Sequence, residues 1–170
     1  GAAEMSRGLR LFAGHQDERG AIIDPYERRE RQYSTPAFAL SAAVLCASKR
    51  NPGLLPAGVR AMESACADLA GGKAADRHAD FFTVLLLHAD VVLRGLVPAT
   101  VSAGWQRHLA AVVPEQVYAN QPASGRPLNN WNLVAAAGEH LRCREGYGRS
   151  EAGVEASLAR QAEYFTPAGM

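Results

Sequence analysis

Three asparagines and a tryptophan stand together in the segment Asn129-Asn130-Trp131-Asn132, directly before an alanine-rich stretch. Amides and an indole ring suit the hydroxyl and carboxylate groups of sugars, and an amide can stabilise charge that spreads into a uronate carboxylate during a reaction. The Gly- and Pro-containing connection before the segment favours this interpretation, because loops at helix ends often carry function. The alternative is a plain helix start, in which an asparagine caps and Trp131 fills the core. We expect Asn129 or Asn130 to cap, and at least one amide to face a ligand.

A second group of reactive side chains lies in the segment "DPYERRERQYSTP", over residues 24–36. Arginine can clamp a carboxylate through two hydrogen bonds, and tyrosine can move a proton if its pKa is lowered. From this local chemistry we predict Tyr33 and His15 as catalytic residues, the latter because it stands beside two acids. Arg29, Gln32 and Tyr26 are predicted to bind substrate together with the Asn-Trp segment. The alternative is a solvated, salt-bridged loop before a helix.

The sequence lacks the usual signals of metal, cofactor, nucleic-acid and membrane sites. The chain has no HExxH, GxSxG, P-loop or GxGxxG motif, and its three cysteines lack the spacing of a metal site, so we expect no metal or cofactor. A net charge of +1 with scattered basic residues gives no reason to expect nucleic acid. No apolar run reaches the roughly 18 residues of a membrane span. Asp76, His78 and Asp80 are typical of a charged helix entrance.

The helix start and end signals along the chain predict an all-α fold in one domain, residues 1–170. Thr35 and Pro36 are typical of a helix start, Gly71 and Gly72 of a helix end, and period-2 strand patterns are missing. Residues 1–34 are predicted to be irregular, with at most one short helix. Six helices in three antiparallel pairs are predicted for residues 35–170, over about 35–50, 56–70, 76–94, 100–113, 130–144 and from 150 onward.

Helical hairpins of this kind can form a closed bundle, a solenoid or part of an α/α toroid. Successive hairpins recur at about 40 to 50 residues, which suits helical-repeat architectures. No repeated signature accompanies this spacing. Hairpins that stack without sequence repetition are more typical of toroids, so an α/α-toroid-like arrangement is the prediction.

Three stretches, "DPYERRERQYSTPAFALSAAVL", "NNWN…AAAGEHLR" and "YFTPAGM", resemble the α/α-toroid glycan enzymes, above all heparinase II/III-like polysaccharide lyases and related toroid proteins. Asn130 and Trp131 match an Asn-Trp element that opens an inner helix in that group, and Gly169 matches a later glycine step. The resemblance implies β-elimination on an acidic polysaccharide or oligosaccharide, with Asn130 neutralising the uronate. Tyr33 and His15 do not match motif positions and come from local chemistry alone.

The chain also departs from that group, whose toroids have more helices and are often followed by a β-sandwich domain. We therefore expect it to be the N-terminal part of a longer enzyme. The first alternative is a non-catalytic helical-hairpin module that binds a protein partner, and the second is a small bundle enzyme for an apolar substrate. Secreted, periplasmic and cytoplasmic locations remain open, as does the oligomeric state.

Overall fold

The computed structural model describes residues 1–118 and 130–148, and within these ranges the chain is helical. The helices are α1 (Ala2–Ala13), α2 (Ser34–Ala47), α3 (Leu55–Ala70), α4 (Ala79–Leu93), α5 (Ala99–Ala111), α6 (Pro114–Val117) and α7 (Asn130–Arg144). The described residues form no strand, only two isolated β-bridges between 16 and 22 and between 23 and 30. The prediction of an all-α fold is confirmed.

Most helix boundaries lie at the helix-starting and helix-ending residues recognised in the sequence. α3 ends at the predicted glycine pair, where Gly72 has a φ of +67°, and α7 covers the stretch predicted for the fifth helix. The short helix allowed before residue 34 is α1. A turn of 3₁₀-helix, Ala75–Arg77, takes the place of the predicted first turn of the third helix. The helix predicted from Ser150 and the cap at Asn129 lie outside the described residues.

Thr35 does not cap α2, which begins one residue earlier at Ser34. The Thr35 side chain is fully buried, and its Oγ1 accepts a hydrogen bond of 2.9 Å from the backbone N of Ile22. A threonine in the first turn therefore holds the preceding segment against the helix instead of satisfying the helix's own N–H groups.

The core lies around α2 and α4, which are apolar on almost every side. Phe38, Leu45, Phe82, Leu86 and Leu93 are all buried. α3 is amphipathic, with its Met62–Cys66–Leu69 stripe fully buried as its spacing predicts. In the described part of the chain no helix has both the length and the apolar character needed to cross a bilayer.

Several helices that are not consecutive in the chain lie side by side. α4 packs against both α2 and α7, so that α2, α4 and α7 form one row. α3 and α5 form a second row, and α3 also packs against α2 in the first. The predicted pair of α2 with α3 is present, whereas α4 touches α5 only slightly. The reason is that α4 has two apolar faces, and burying both requires neighbours on either side.

A buried arginine fixes α7 in this arrangement. Arg142 is 2% exposed and donates hydrogen bonds to the carbonyl oxygens of Leu109, Val112 and Tyr147. Its charge is paired with Glu139 on the same helix, at 2.8 and 2.9 Å. These bonds tie the C-terminal end of α7 to the end of α5.

Candidate functional site

Four rings from three helix starts meet in an aromatic cluster formed by Tyr33, His78, Phe81 and Trp131. Tyr33 stacks on Phe81 with ring centroids 5.2 Å apart and meets the edge of His78 at 5.8 Å. His78 lies 4.6 Å from Trp131, and Phe81 meets Trp131 edge to face at 6.3 Å. Each ring stands in the first turn of α2, α4 or α7 or immediately before it.

The cluster places the N-terminal ends of α2, α4 and α7 close together. Tyr33 and His78 are the N-cap residues of α2 and α4, and neither makes a capping hydrogen bond through its side chain. The first turns of α2 and α7 contain no acidic residue. In α4, Asp80 lies in the first turn and accepts a hydrogen bond from the backbone N of Phe81. The positive ends of the α2 and α7 dipoles favour an anion at this end of the row.

The rings of the aromatic cluster are partly exposed, and His78 and Asp80 bring polar groups to the start of α4. Tyr33 is 37% exposed, and the three other rings are partly buried. Within the described ranges, the Nδ1 atom of His78 is buried and has no hydrogen-bond partner. Asp80 is buried just inside α4, and this burial raises the pKa of its carboxyl group, against the opposing effect of a hydrogen bond from the backbone N of Phe81.

The segment before α2 is held to the segment before α4 by a single carboxylate. Asp76 accepts hydrogen bonds from Arg29 Nη1 at 2.7 Å, from Arg31 Nε at 2.9 Å and from the backbone N of Gln32 at 2.8 Å. The hydrogen bond from Arg29, followed by those from Arg31 and Gln32, holds the pKa of Asp76 far below its ordinary value. Glu27 adds further ion pairs to both arginines from within the same loop.

Unusual backbone conformations concentrate at this junction. Among the described residues other than glycine, five have a positive φ, and four of them are Arg28, Gln32, Asp76 and Arg77. Such conformations persist only where surrounding contacts enforce them, and they are frequent at functional sites. For Gln32 and Asp76 the enforcing contacts are the hydrogen bonds that the Asp76 carboxylate accepts.

The structure brings two of the predicted site residues together and places a third beside them. Tyr33 and Trp131 belong to the aromatic cluster, with His78 between them. Asn130 is the first residue of α7 and is exposed next to Trp131. Asn129 lies outside the described residues.

The other predicted residues occupy different places. His15 follows α1, where its carbonyl oxygen accepts a bond from the backbone N of Ile23, and it is not part of the aromatic cluster. Tyr26 is 93% exposed at the tip of the loop. Arg29 is paired with Asp76, and Gln32 reaches Asp76 through its backbone N rather than its side chain.

His78 and Phe81 belong to the aromatic cluster, although the sequence does not single them out as candidate site residues. Their segment, "DRHADFF", is dominated by charges and by an apolar run, which are typical of a helix entrance followed by core. One signal was present. A ring stands at the start of this helix, as Tyr33 and Trp131 do at two others, but a single sequence does not indicate which helix starts meet in space.

Comparisons of the chain with protein-family models, with curated proteins and with solved structures found no significant match.

Proposed function

We propose that this chain is a glycan-binding and glycan-processing domain that takes an acidic oligosaccharide or polysaccharide at the aromatic cluster. The observation that carries the proposal is the meeting of Tyr33, His78 and Trp131 at the N-terminal ends of three helices. Sugar rings present apolar faces that pack on aromatic rings, and a uronate adds a carboxylate that helix N–H groups can bind. Asn130 stands beside Trp131 and supplies an amide for the same carboxylate.

The reaction that suits these groups is β-elimination. A base takes the proton from C5 of the uronate, its electron pair forms the C4=C5 double bond, and the C4–O bond breaks. The leaving oxygen then takes a proton from an acid, so that no water is consumed. Tyr33 and His78 are the proposed proton-transfer pair, because their rings are in contact, whereas His15 lies elsewhere. Catalysis of this type depends on having both groups in place in one pocket.

We also propose that the two helical rows are part of an α/α toroid. Support comes from the contacts between helices that are not consecutive in the chain, α2 with α4, α4 with α7, and α3 with α5. In a toroid such rows form an inner and an outer layer, and inner helix ends line the substrate site. The aromatic cluster lies at the ends of the α2–α4–α7 row, which corresponds to the inner layer.

Binding can be tested by thermal unfolding against uronate-containing and neutral oligosaccharides. A ligand that binds only the folded chain stabilises it by about 2.7 kcal/mol at a hundredfold excess over its Kd. We expect a shift with an acidic glycan, its loss in Trp131→Ala and its weakening in Asn130→Ala. Tyr26→Ala is the control, since that ring lies outside the cluster. A parallel assay follows the ultraviolet absorbance of the C4=C5 bond. If no acidic glycan shifts the wild-type chain, the proposal is wrong.

A second candidate is a protein-interaction module that acts through α1. Met5, Leu11 and Phe12 are 42%, 66% and 50% exposed on this helix, an unusual concentration of large apolar side chains on one surface element. Under this alternative, Phe12→Ser abolishes binding of a protein partner, while Trp131→Ala leaves it unchanged. The opposite pattern would exclude it.

A further inference from the structure

We propose that Asp76 is a positioning residue of the aromatic cluster, which fixes the segment before α2 so that Tyr33 lies against Phe81 and His78. The inference rests on the proposed function for its effect on ligand binding, and on geometry alone for its effect on Tyr33. It also assigns Arg29 a different role from the substrate clamp that the sequence predicts. Arg29 acts through Asp76.

Asp76 connects the segment before α2 to the segment before α4 next to the rings of the aromatic cluster. Asp76 accepts a hydrogen bond from the backbone N of Gln32, the residue immediately before Tyr33, and it stands two residues before His78. A bond at this point joins the two chain segments directly beside the rings that stack. Few torsion angles then separate the fixed carboxylate from either ring, so the bond limits where Tyr33 can lie relative to His78.

The bonds to Asp76 also hold two residues in an unfavourable backbone conformation. Gln32 has a φ of +47° and Asp76 a φ of +49°, a region that residues other than glycine rarely adopt. An isolated surface ion pair contributes little to stability and would not maintain such a conformation. Asp76 instead receives three donors, two from arginine side chains and one from the strained backbone itself. Without them we expect the loop to relax and Tyr33 to leave Phe81.

The guanidinium of Arg29 is already paired with two carboxylates of the protein. Its Nη1 binds Asp76 at 2.7 Å and its Nη2 pairs with Glu27 at 3.2 Å. If Arg29 acts only by holding Asp76, removing Arg29 takes away one of the three donors to Asp76, and removing it from a chain that already lacks the Asp76 carboxylate adds little. If Arg29 instead binds the ligand directly, the two changes are independent and their effects multiply.

The test without ligand is proton NMR of the folded chain. Nuclear Overhauser contacts between the Tyr33 and Phe81 rings should be present in the wild type, weakened in Asp76→Asn and lost in Asp76→Gly. Asparagine and glycine both tolerate a positive φ, so neither variant adds strain. Glu27→Gln is the matched control, because Glu27 pairs with the same arginines inside the loop without reaching Asp76. The buried Trp105 indole N–H, bonded to Asp90, reports that the rest of the fold is intact. Retention of the Tyr33–Phe81 contacts in Asp76→Gly would overturn the proposal.

The test with ligand is a double-mutant cycle, using the acidic oligosaccharide that stabilises the wild type most. We expect Asp76→Asn to weaken binding by about tenfold, the loss that follows when one aromatic contact with the ligand is displaced. Arg29→Gln should weaken binding less, because Arg31 and the backbone N of Gln32 still bind Asp76. The double variant should be no weaker than Asp76→Asn alone. Multiplying effects would contradict the role given to Arg29. If no saccharide binds the wild type, the proposed function fails, and the NMR result still decides whether Asp76 positions Tyr33.

Discussion

The indole ring of Trp131 lies 4.6 Å from the imidazole ring of His78, although the two residues stand at the starts of different helices. This contact depends on how closely α7 approaches α4. Gly138 permits that approach, because a Cβ at this position would lie 2.9 Å from Thr83 Cγ2 and 3.1 Å from Thr83 Cβ. A helical glycine thus has a direct consequence for the site a few turns away.

Replacing Gly138 with alanine should therefore destabilise the fold, even though alanine is the better helix former. Overpacking in a tight contact costs about 1–3 kcal/mol, which outweighs the roughly 1 kcal/mol gained in helix propensity. We expect a net loss of about 1 kcal/mol by urea unfolding, together with a changed Trp131 fluorescence as α7 moves from α4. Gly8→Ala in α1 is the control. It meets nothing within 4 Å and should gain about 0.5–1 kcal/mol. Equal effects of the two changes would contradict the close-approach explanation.

Asp90 should be among the most sensitive positions in the chain. Its carboxylate is fully buried and accepts hydrogen bonds from Trp105 Nε1 at 2.8 Å and from the Tyr147 hydroxyl at 2.9 Å, with Arg94 as its charge partner. Asp90→Ala leaves the buried Trp105 N–H and the partly buried Tyr147 hydroxyl without this acceptor and should cost about 3–5 kcal/mol.

Chemical denaturation measures that loss, with His88→Ala as the matched change. His88 is exposed two residues earlier on the same helix, and its removal should stay within about 0.5 kcal/mol. A small effect of Asp90→Ala would mean that Trp105 and Tyr147 find other acceptors.

Glu30 gives the chain a stability that depends on pH. Burial raises the pKa of its carboxyl group, a hydrogen bond from Thr35 opposes this, and within the described residues its Oε1 atom is buried without a partner. The folded chain therefore holds the proton more tightly than the unfolded chain, whose carboxyl has the ordinary value of 4.5. This contribution to stability is fully present below that value, and it falls as pH rises through the higher pKa of the folded state.

The matching variant is Glu30→Gln, which cannot ionise. Near neutral pH it should unfold at a higher temperature than the wild type, and the difference should shrink to nothing in acid. Thermal unfolding of both chains across the acidic range measures this. Glu63→Gln, on the exposed face of α3, is the control and should change the unfolding temperature little. A Glu30→Gln advantage that is constant with pH would rule out the ionisation argument.

The sequence predicts the helices well because their signals are local. The glycine pair after α3, the apolar stripe through Met62 and the start of α7 at Asn130 all lie where punctuation and periodicity place them. Asp90 differs, since a charge inside an apolar run looks like an interruption and is instead a buried acceptor for a tryptophan from another helix. That partnership is a property of the packing of α4 and α5.

The candidate site was predictable only in part for the same reason. Tyr33 and Trp131 attract attention through their own neighbours, and both belong to the aromatic cluster. His15 and His78 are equally plausible from composition, and only the packing of the α2–α4–α7 row places His78 against Tyr33. Arg29 was recognised as an anion binder, but its anion is Asp76, a residue far along the chain.

The last prediction separates the two functions assigned to Tyr33. Its ring packs on Phe81, and its hydroxyl is the proposed proton carrier. Tyr33→Phe keeps the ring, so binding of the acidic glycan and KM should change little. The lost proton transfer should lower kcat by about 10²–10⁴-fold, measured by formation of the C4=C5 bond. Tyr26→Phe and His15→Ala are the matched controls and should retain activity, because neither side chain belongs to the aromatic cluster. An unchanged kcat in Tyr33→Phe would assign the proton to another group, and a large loss in His15→Ala would restore the pair that the sequence predicts. Because Phe preserves the stacking, either result bears on chemistry and not on the folding of the loop.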